Sequence, residues 1–471
     1  MLRPTGRILL AALAAATLSA CNNEGDGGTG PIAPGAAVIA ANITANRTLY
    51  ADTVYTLQGF IQVTNGATLT IQPGTVIQGD YATVGSSLFI TRGARIVANG
   101  TAAEPIVFTS SRPVGQRQAG DWGGLVIIGN GVINRAAPVI LEGTGTGPTN
   151  PQQEYSGGNN NADNSGTLRY VRVEFAGYAT ATDAELNSFT FAAVGSGTTL
   201  EYLESLYGLD DSFEFFGGAV DGKYLVSYES GDDHFDMSEG YVGRLQFLLG
   251  YQSGLNVPRA GAGNTSNDPQ GIENDGCNGT GCTGGQNSTP FTAPVVANFT
   301  LIGPGTGTGV DATNGGYGAI LRRGTGGYYV NGVLARWPKG AIGLRDSTTT
   351  KVRLNDGLLD IRNIFVAEAP SIFTAASGGF VLTDSVARGI TRDGAATTAG
   401  LFTTFTMPAA SAASFDWTPP AGSTLASGGL QTFSGNLATA AGTFVLGTGY
   451  RGAAAPNGTK WWAGWTSYAK N

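Results

Sequence analysis

The sequence predicts an all-β solenoid, a coil of short parallel strands, and three observations carry that reading. Residues 202–215 (YLESLYGLDDSFEF) and 224–237 (YLVSYESGDDHFDM) echo each other 22 residues apart, with six of fourteen positions identical and no gap. A period of about 20–25 residues marks a solenoid, in which each repeat stacks on the last to bury a shared core. Inside the echo, apolar residues alternate with the period of a strand, not of a helix. Composition agrees: 74 of 471 residues are Gly and only 13% are charged, which suits strands joined by tight Gly, Asn and Asp turns. A mature chain of this length usually makes two or three domains, but a solenoid escapes that rule because its core grows along an axis.

Residues 1–20 read as a leader. Arg3 and Arg7 precede a short apolar run, residues 8–18, that is too short to span a bilayer as a stable helix. The leader ends in Leu18-Ser19-Ala20-Cys21, which resembles the lipobox of bacterial lipoproteins; the alternative is a chance cysteine beside an ordinary cleavage site. The resemblance implies that Cys21 is lipidated and becomes the mature N-terminus. Asn22 stands where the inner-membrane retention signal of such proteins has Asp, so the implied address is the outer membrane. Residues 21–39, rich in Gly, Pro and Ala, read as a flexible tether from lipid to body.

Losing the leader removes two basic residues and no acid, leaving 24 basic and 34 acidic residues. That surface excludes a nucleic-acid partner and a polybasic membrane contact. Cys277 and Cys282 bracket a short loop outside the reducing cytosol and are expected to form a local disulfide. His234 is the only histidine, which excludes His-cluster metal sites. No Gly-x-Ser-x-Gly or phosphate-loop context is present.

From residue 40 to 455 the chain is expected to coil. Leu69–Ile71, Thr75–Ile77, Leu88–Ile90, Arg95–Val97, Ile106–Phe108 and Leu125–Ile128 are short apolar strands, spaced 19 residues (Ile71 to Ile90) and 20 residues (Val76 to Ile96) apart. Residues 68–77 (TLTIQPGTVI), 95–101 (RIVANGT), 105–110 (PIVFTS) and 120–124 (GDWGG) carry a resemblance to right-handed parallel β-helix proteins. With the later Gly-Asp-Asp segment and the Trp-rich end, the chain resembles a group of surface lipoproteins of Gram-negative bacteria. The resemblance implies one single-stranded right-handed parallel β-helix on the outer membrane, facing the surface or the periplasm.

Residues 134–163, rich in Gly, Thr, Asn and Pro, read as an excursion. The tetrads Ser188–Phe191, Ser212–Phe215 and His234–Met237 follow at spacings of 24 and 22; their second and fourth residues should face inward, their first and third outward. Residues 251–293 read as a second excursion, because between Arg259 and Pro290 Ile272 is the single large aliphatic residue. Asn298, Asn331 and Asn363 recur at 33 and 32 residues and resemble a ladder in which side-chain amides bond from turn to turn. Residues 456–471, with Trp461, Trp462, Trp465 and Tyr468, read as a cap over the open coil end or as a carbohydrate-stacking cluster.

The chemistry concentrates in the echo. Asp210-Asp211 and Asp232-Asp233 lie 22 residues apart, as do Glu214 and Asp236, so in register they form three stacked like-charged pairs. At ~5 Å and an effective dielectric near 20, each pair repels by about 3 kcal/mol, and by less than about 1 in open water. A partly buried stack calls for a counter-cation or raised pKa values. Ca2+ is the natural candidate, since it takes oxygen ligands in irregular geometry; Asp221, Glu229 and Glu239 are further candidate ligands. Alternatively the Asp pairs sit in solvated turns and cap backbone amides. A catalytic alternative also stands. Glycosidases of this fold that attack pectin use clustered aspartates with a His on a neighbouring turn, and here Asp232, Asp233, His234, Glu214 and Asp236 are candidates. The Gly-His-Gly and Arg-Ile-Lys motifs of those enzymes are absent, and the nearest bases for a lyase are Lys223 and Arg244. The expected role is a binding or scaffold lipoprotein for a glycan or an outer-membrane protein partner; the rival is a hydrolase or lyase of acidic polysaccharides.

Overall fold

A computed structural model describes residues 35–136, 138–307, 309–406 and 415–469. The leader, Cys21 and most of the 21–39 tether lie outside them.

The chain winds into a parallel β-helix. Strands from successive turns pair in parallel into two long sheets, one of seventeen and one of ten strands. The echo is a rung register: Leu203 pairs with Leu225, Phe213 with Phe235 and Glu214 with Asp236. Phe189, Phe213 and Phe235 stack inside the coil with ring centroids 5.0 and 5.3 Å apart. That is close to the spacing of neighbouring strands, so each turn repeats its inward residue over the one before.

The larger sheet folds over a corner. Strands Gly166–Glu174, Thr199–Leu206, Asp221–Tyr228, Arg244–Tyr251 and Val295–Ile302 run through it without a break. The corner residues of these strands, Tyr170, Tyr202, Tyr224, Phe247 and Asn298, are all left-handed, with φ between 48° and 64°. Left-handed backbone costs a side-chain-bearing residue roughly 1–2 kcal/mol. Stacking offsets it: Tyr170, Tyr202, Tyr224 and Phe247 form a column with centroids 4.3, 4.5 and 5.1 Å apart. A favourable aromatic pair contributes about 0.5–1.5 kcal/mol beyond its burial.

Four expectations need correction. The coil starts at Gly35–Ile39, which pairs with Thr53–Leu57, inside the stretch read as tether. The 251–293 segment is not loop throughout: Ile272–Asp275 returns to the coil between Phe235–Ser238 and Tyr317–Arg322. One apolar residue suffices because Ile272, fully buried, is all that one rung of this face asks of that strand. The third correction concerns the asparagines, whose amides mostly hold the C-terminal segment instead of each other. Asn298 donates to Thr448 Oγ1 and Gly452 O, Asn331 to Leu430 O, and Asn363 to Gly428 O. Gln246 to Asn298, at 3.0 Å, is the turn-to-turn bond.

The fourth is the tail. The coil's last strand is Thr391–Asp393, and the residues after it run back along the outside of the larger sheet as a strap. Trp465 meets Tyr170 and Tyr202 edge-on, and Tyr468 packs on Tyr228. Trp462, Trp465 and Tyr468 are buried in this contact, so their faces are closed to sugars, and they cover a side of the coil, not its end. The outer surface of the larger sheet carries Leu206, Val226, Tyr228, Leu249 and Tyr251, an apolar stripe that needs such a cover. Cys277 and Cys282 form the expected disulfide.

Candidate functional site

The ten-stranded sheet faces away from the strap, and its outer surface builds an acidic cleft. One outward column reads Phe89, Val126, Thr190, Glu214, Asp236, Glu273 and Ile320 on consecutive rungs. Its apolar beginning is covered by the 131–158 excursion, through Ile133, Val139, Leu141 and Tyr155. Where that cover ends, three acids follow one another.

The turns entering these strands add the Asp pairs, and the two members of each pair behave differently. Asp211 Oδ1 accepts the Asp233 N–H at 2.8 Å, and Asp233 Oδ1 accepts the Gln270 N–H at 2.5 Å. Asn187 Oδ1 does the same for the Asp211 N–H one turn earlier. So Asp211 and Asp233 cap the amide of the next rung, as one reading of the sequence had it, but they do so buried, not in the solvated turns which that reading expected. Asp210 and Asp232 instead line the cleft half-buried, with the 22-residue spacing setting one over the other.

Three groups of carboxylate oxygens come within 4.8 Å of one another: Asp210, Asp211 and Asp232; Asp211, Glu214 and Asp236; Asp233, Asp236 and Glu273. The excursions close the walls. Glu142 comes from the first, Asp183 and Glu185 from a hairpin (Ala179–Ala181 with Ala184–Glu185), and Asn264 and Ser266 from the segment before Ile272. The result is a cavity of about 300 Å3 lined by ten carboxylates and, among the described residues, by no lysine or arginine. A second lobe of about 550 Å3 shares five of these acids and adds Arg135, Tyr155, Glu239, Asp275 and Arg323. There Arg135 and the Tyr155 hydroxyl both bond Glu239.

Burial, with mutual repulsion behind it, disfavours ionisation of Glu142, Glu185, Asp210, Asp211, Glu214, Asp232, Asp233, Asp236 and Glu273. Glu142 is pushed up to about 7 by burial and by Glu185 and Asp232. Burial lifts Asp232 to about 7, and burial together with Asp275 lifts Glu273 to about 8, against the pull of Arg322. Asp210, Asp211, Glu214, Asp233 and Asp236 are all raised well above the carboxylate range, burial first and neighbouring carboxylates second. Asp236 Oδ1 is buried with no hydrogen-bond partner.

His234 is elsewhere. It points into the coil, bonds Ser227 Oγ through Nδ1 and meets Trp337 edge-on at 6.1 Å. Ser212, one turn earlier, joins the same interior network through Ser227 and Ser230. The expected outward direction fails because Ser212 and His234 stand at bends, and strict alternation begins only at Phe213 and Phe235. Burial holds the imidazole neutral, with its pKa lowered to about 3. It cannot exchange protons with anything in the cleft. Lys223 and Arg244 also lie away from it, beneath the strap, where Lys223 covers Phe444 and Arg244 pairs with Asp221. Glu229 is buried and accepts the Ser253 N–H. Of the three extra ligand candidates, only Glu239 reaches the second lobe.

Sequence reading missed Glu273, Glu142, Asp183 and Glu185. A signal for Glu273 existed: residues 271–274 (GIEN) repeat the apolar–acid pattern of residues 234–237 (HFDM), displaced to 37 residues by the intervening excursion. The wall acids lie outside the repeat and carry no such mark.

Residues 41–410 match the family model described as a pectate-lyase like beta helix domain. No curated protein and no solved structure matches the chain.

Proposed function

The chain belongs to the pectate-lyase-like β-helix family, and from that premise we propose that it is a binding lipoprotein whose acidic cleft takes a hard cation, Ca2+, and presents it to a glycan or an outer-membrane protein partner. The observation that supports this most is the convergence of ten carboxylates on one cavity that, among the described residues, no basic side chain lines. The donor set fits the ion. It offers carboxylate oxygens in irregular array, as calcium requires, and no accessible thiolate or imidazole for a softer metal. Asp236 Oδ1, buried without a partner, is the group that most needs a cation. Asp210, Asp232, Asp236 and Glu273, with Glu214 beside them, would hold it, and the bound charge would supply a contact for ligand carboxylates, sulfates or hydroxyls. The elongated face of a solenoid suits an extended ligand. Lipidation of Cys21 would place this face at the outer membrane, directed to the surface or the periplasm.

A second reading, a hydrolase or lyase of acidic polysaccharides, draws on the family match and on two cleft acids, Glu142 and Asp232, brought to about 7. Carboxyls in that range suit acid–base work near neutrality. With His234, Lys223 and Arg244 secluded, the bases beside the cleft among the described residues are Arg135, Arg322 and Arg323, and all three are ion-paired with carboxylates.

Calorimetric titration of the metal-free mature chain with Ca2+ tests the first reading. Saturable binding that weakens at least tenfold in D236N supports it, and heats no different from dilution refute it. Incubation with acidic glycans separates the second: release of reducing or unsaturated ends, lost in D232N, would make the protein an enzyme.

A further inference from the structure

Past the acidic cleft the same outer face changes sign. Asp275 pairs in register with Arg322, and Leu321 with Leu344, so Arg345 follows on the next rung in the place that Arg322 holds on its own. Arg322, Arg345 and Lys339 line a separate cavity of about 330 Å3, which also includes Tyr317, Ser377 and Asp268. Two of the three cations are engaged. Arg322 is fixed between Glu273 and Asp275. Lys339 pairs with Asp268, whose half-exposed side chain sits on a loop and holds it only at the rim.

Arg345 is not engaged in this way. Among the described residues its one ion-pair partner is Asp346, at 3.6 Å, beyond hydrogen-bond range. The Asp346 oxygen concerned, Oδ2, already accepts the Arg323 N–H at 2.6 Å. Arg345 Nε is buried with no hydrogen-bond partner. A guanidinium offers five donors in a planar fork that matches an oxyanion, and a buried donor left open is costly. The cavity beside it has room for such a group, a lysine within it, and hydroxyls at Tyr317 and Ser377.

We propose that this cavity is an oxyanion subsite, in which Arg345 and Lys339 hold a sulfate, phosphate or carboxylate group of a ligand lying along the face. The site is distinct from the cation cleft and stands whether or not calcium binds there. Arg345 lies two rungs past Glu273 and three past Asp236, which gives the face two poles about 10–15 Å apart at the usual strand spacing. One ligand could then meet a bound cation at one pole and the arginine fork at the other.

The test is calorimetric titration of the calcium-free mature chain with inorganic sulfate, inorganic phosphate and acetate in turn. The expected result is saturable one-to-one binding of at least one of them, and the tightest identifies the group. R345Q should weaken it at least tenfold and K339Q several-fold, while D236N leaves it unchanged. If R345Q proves misfolded by circular dichroism, K339Q alone decides. Absence of saturable binding, or wild-type affinity in a folded R345Q or, where that variant misfolds, in K339Q, would overturn the proposal. Calcium titration of the same samples reports on the acidic cleft separately, so the two ideas fail independently.

Discussion

At the scale of residues, the acids of the cleft and the lone histidine make opposite demands on pH. Glu142 and Asp232 near 7 and Glu273 near 8 are all raised above their ordinary values. The stability linked to them is fully present below about pH 4 and is lost as pH rises through 7 to 8. His234, lowered to about 3, works the other way: its contribution is present above about 6.5 and is lost as pH falls toward 3. Several carboxyls outweigh one imidazole, so the metal-free protein should melt lower at pH 8 than at pH 5.5, and millimolar calcium should close the gap. Scanning calorimetry with and without chelator checks this; equal melting temperatures without metal would contradict it. D236N takes one ionisable acid out of the outward column. It should raise the melting temperature of the metal-free protein while weakening calcium binding. H234A should leave calcium binding intact and cost about 2–4 kcal/mol in denaturant unfolding, because it opens a cavity and removes one of the two hydrogen-bond partners of Ser227.

At the scale of elements, the strands and the strap were unequally legible. The echo could be read because Phe213 and Phe235, and Tyr202 and Tyr224, repeat at one period with no insertion between them. Ile272–Asp275 hid because an excursion of twenty residues, 252–271, breaks that period, and a strand with one large apolar residue leaves little trace. The strap hid for another reason. Its partners are polar side chains at corners, and an Asn reads the same whether its amide bonds the next turn or a distant segment. Asn331 holds the strap from both sides, accepting from the Leu430 N–H at 2.6 Å and donating to Leu430 O and Thr448 Oγ1. Glu204, fully buried, receives the Ser467 N–H, and Arg172 donates to Trp465 O. N331A should therefore cost about 1–3 kcal/mol. It should also make residues 398–469 cleave faster than the coil in limited proteolysis; uniform cleavage would show that the strap does not depend on this clamp. Y224A removes two stacking contacts from the corner column, those with Tyr202 and Phe247, and should destabilise by about 1–3 kcal/mol.

At the scale of the whole molecule, the coil is a ruler whose faces serve different ends. The larger sheet turns its apolar outer stripe to the strap. The smaller sheet turns its outer surface to the excursions, which supply Glu142, Asp183, Glu185, Asn264 and Ser266 to one cleft. Insertions in a solenoid gather on one face, and that face is commonly the binding face. The fold and the register of Asp210, Glu214, Asp232 and Asp236 were readable because repetition states them twice. The walls were not, because residues brought together by separate loops share no spacing. The account's central proposal is that acids from several turns, walled in by residues of three excursions, meet at a single cation. A crystal of the mature chain soaked in a lanthanide that mimics calcium measures this most directly. The account predicts a strong anomalous peak in the cleft, within coordination distance of Asp236 and of at least two of Asp210, Asp232, Glu214 and Glu273. A cleft with no peak at saturating lanthanide, its carboxyls bonded only to protein and water, would contradict it.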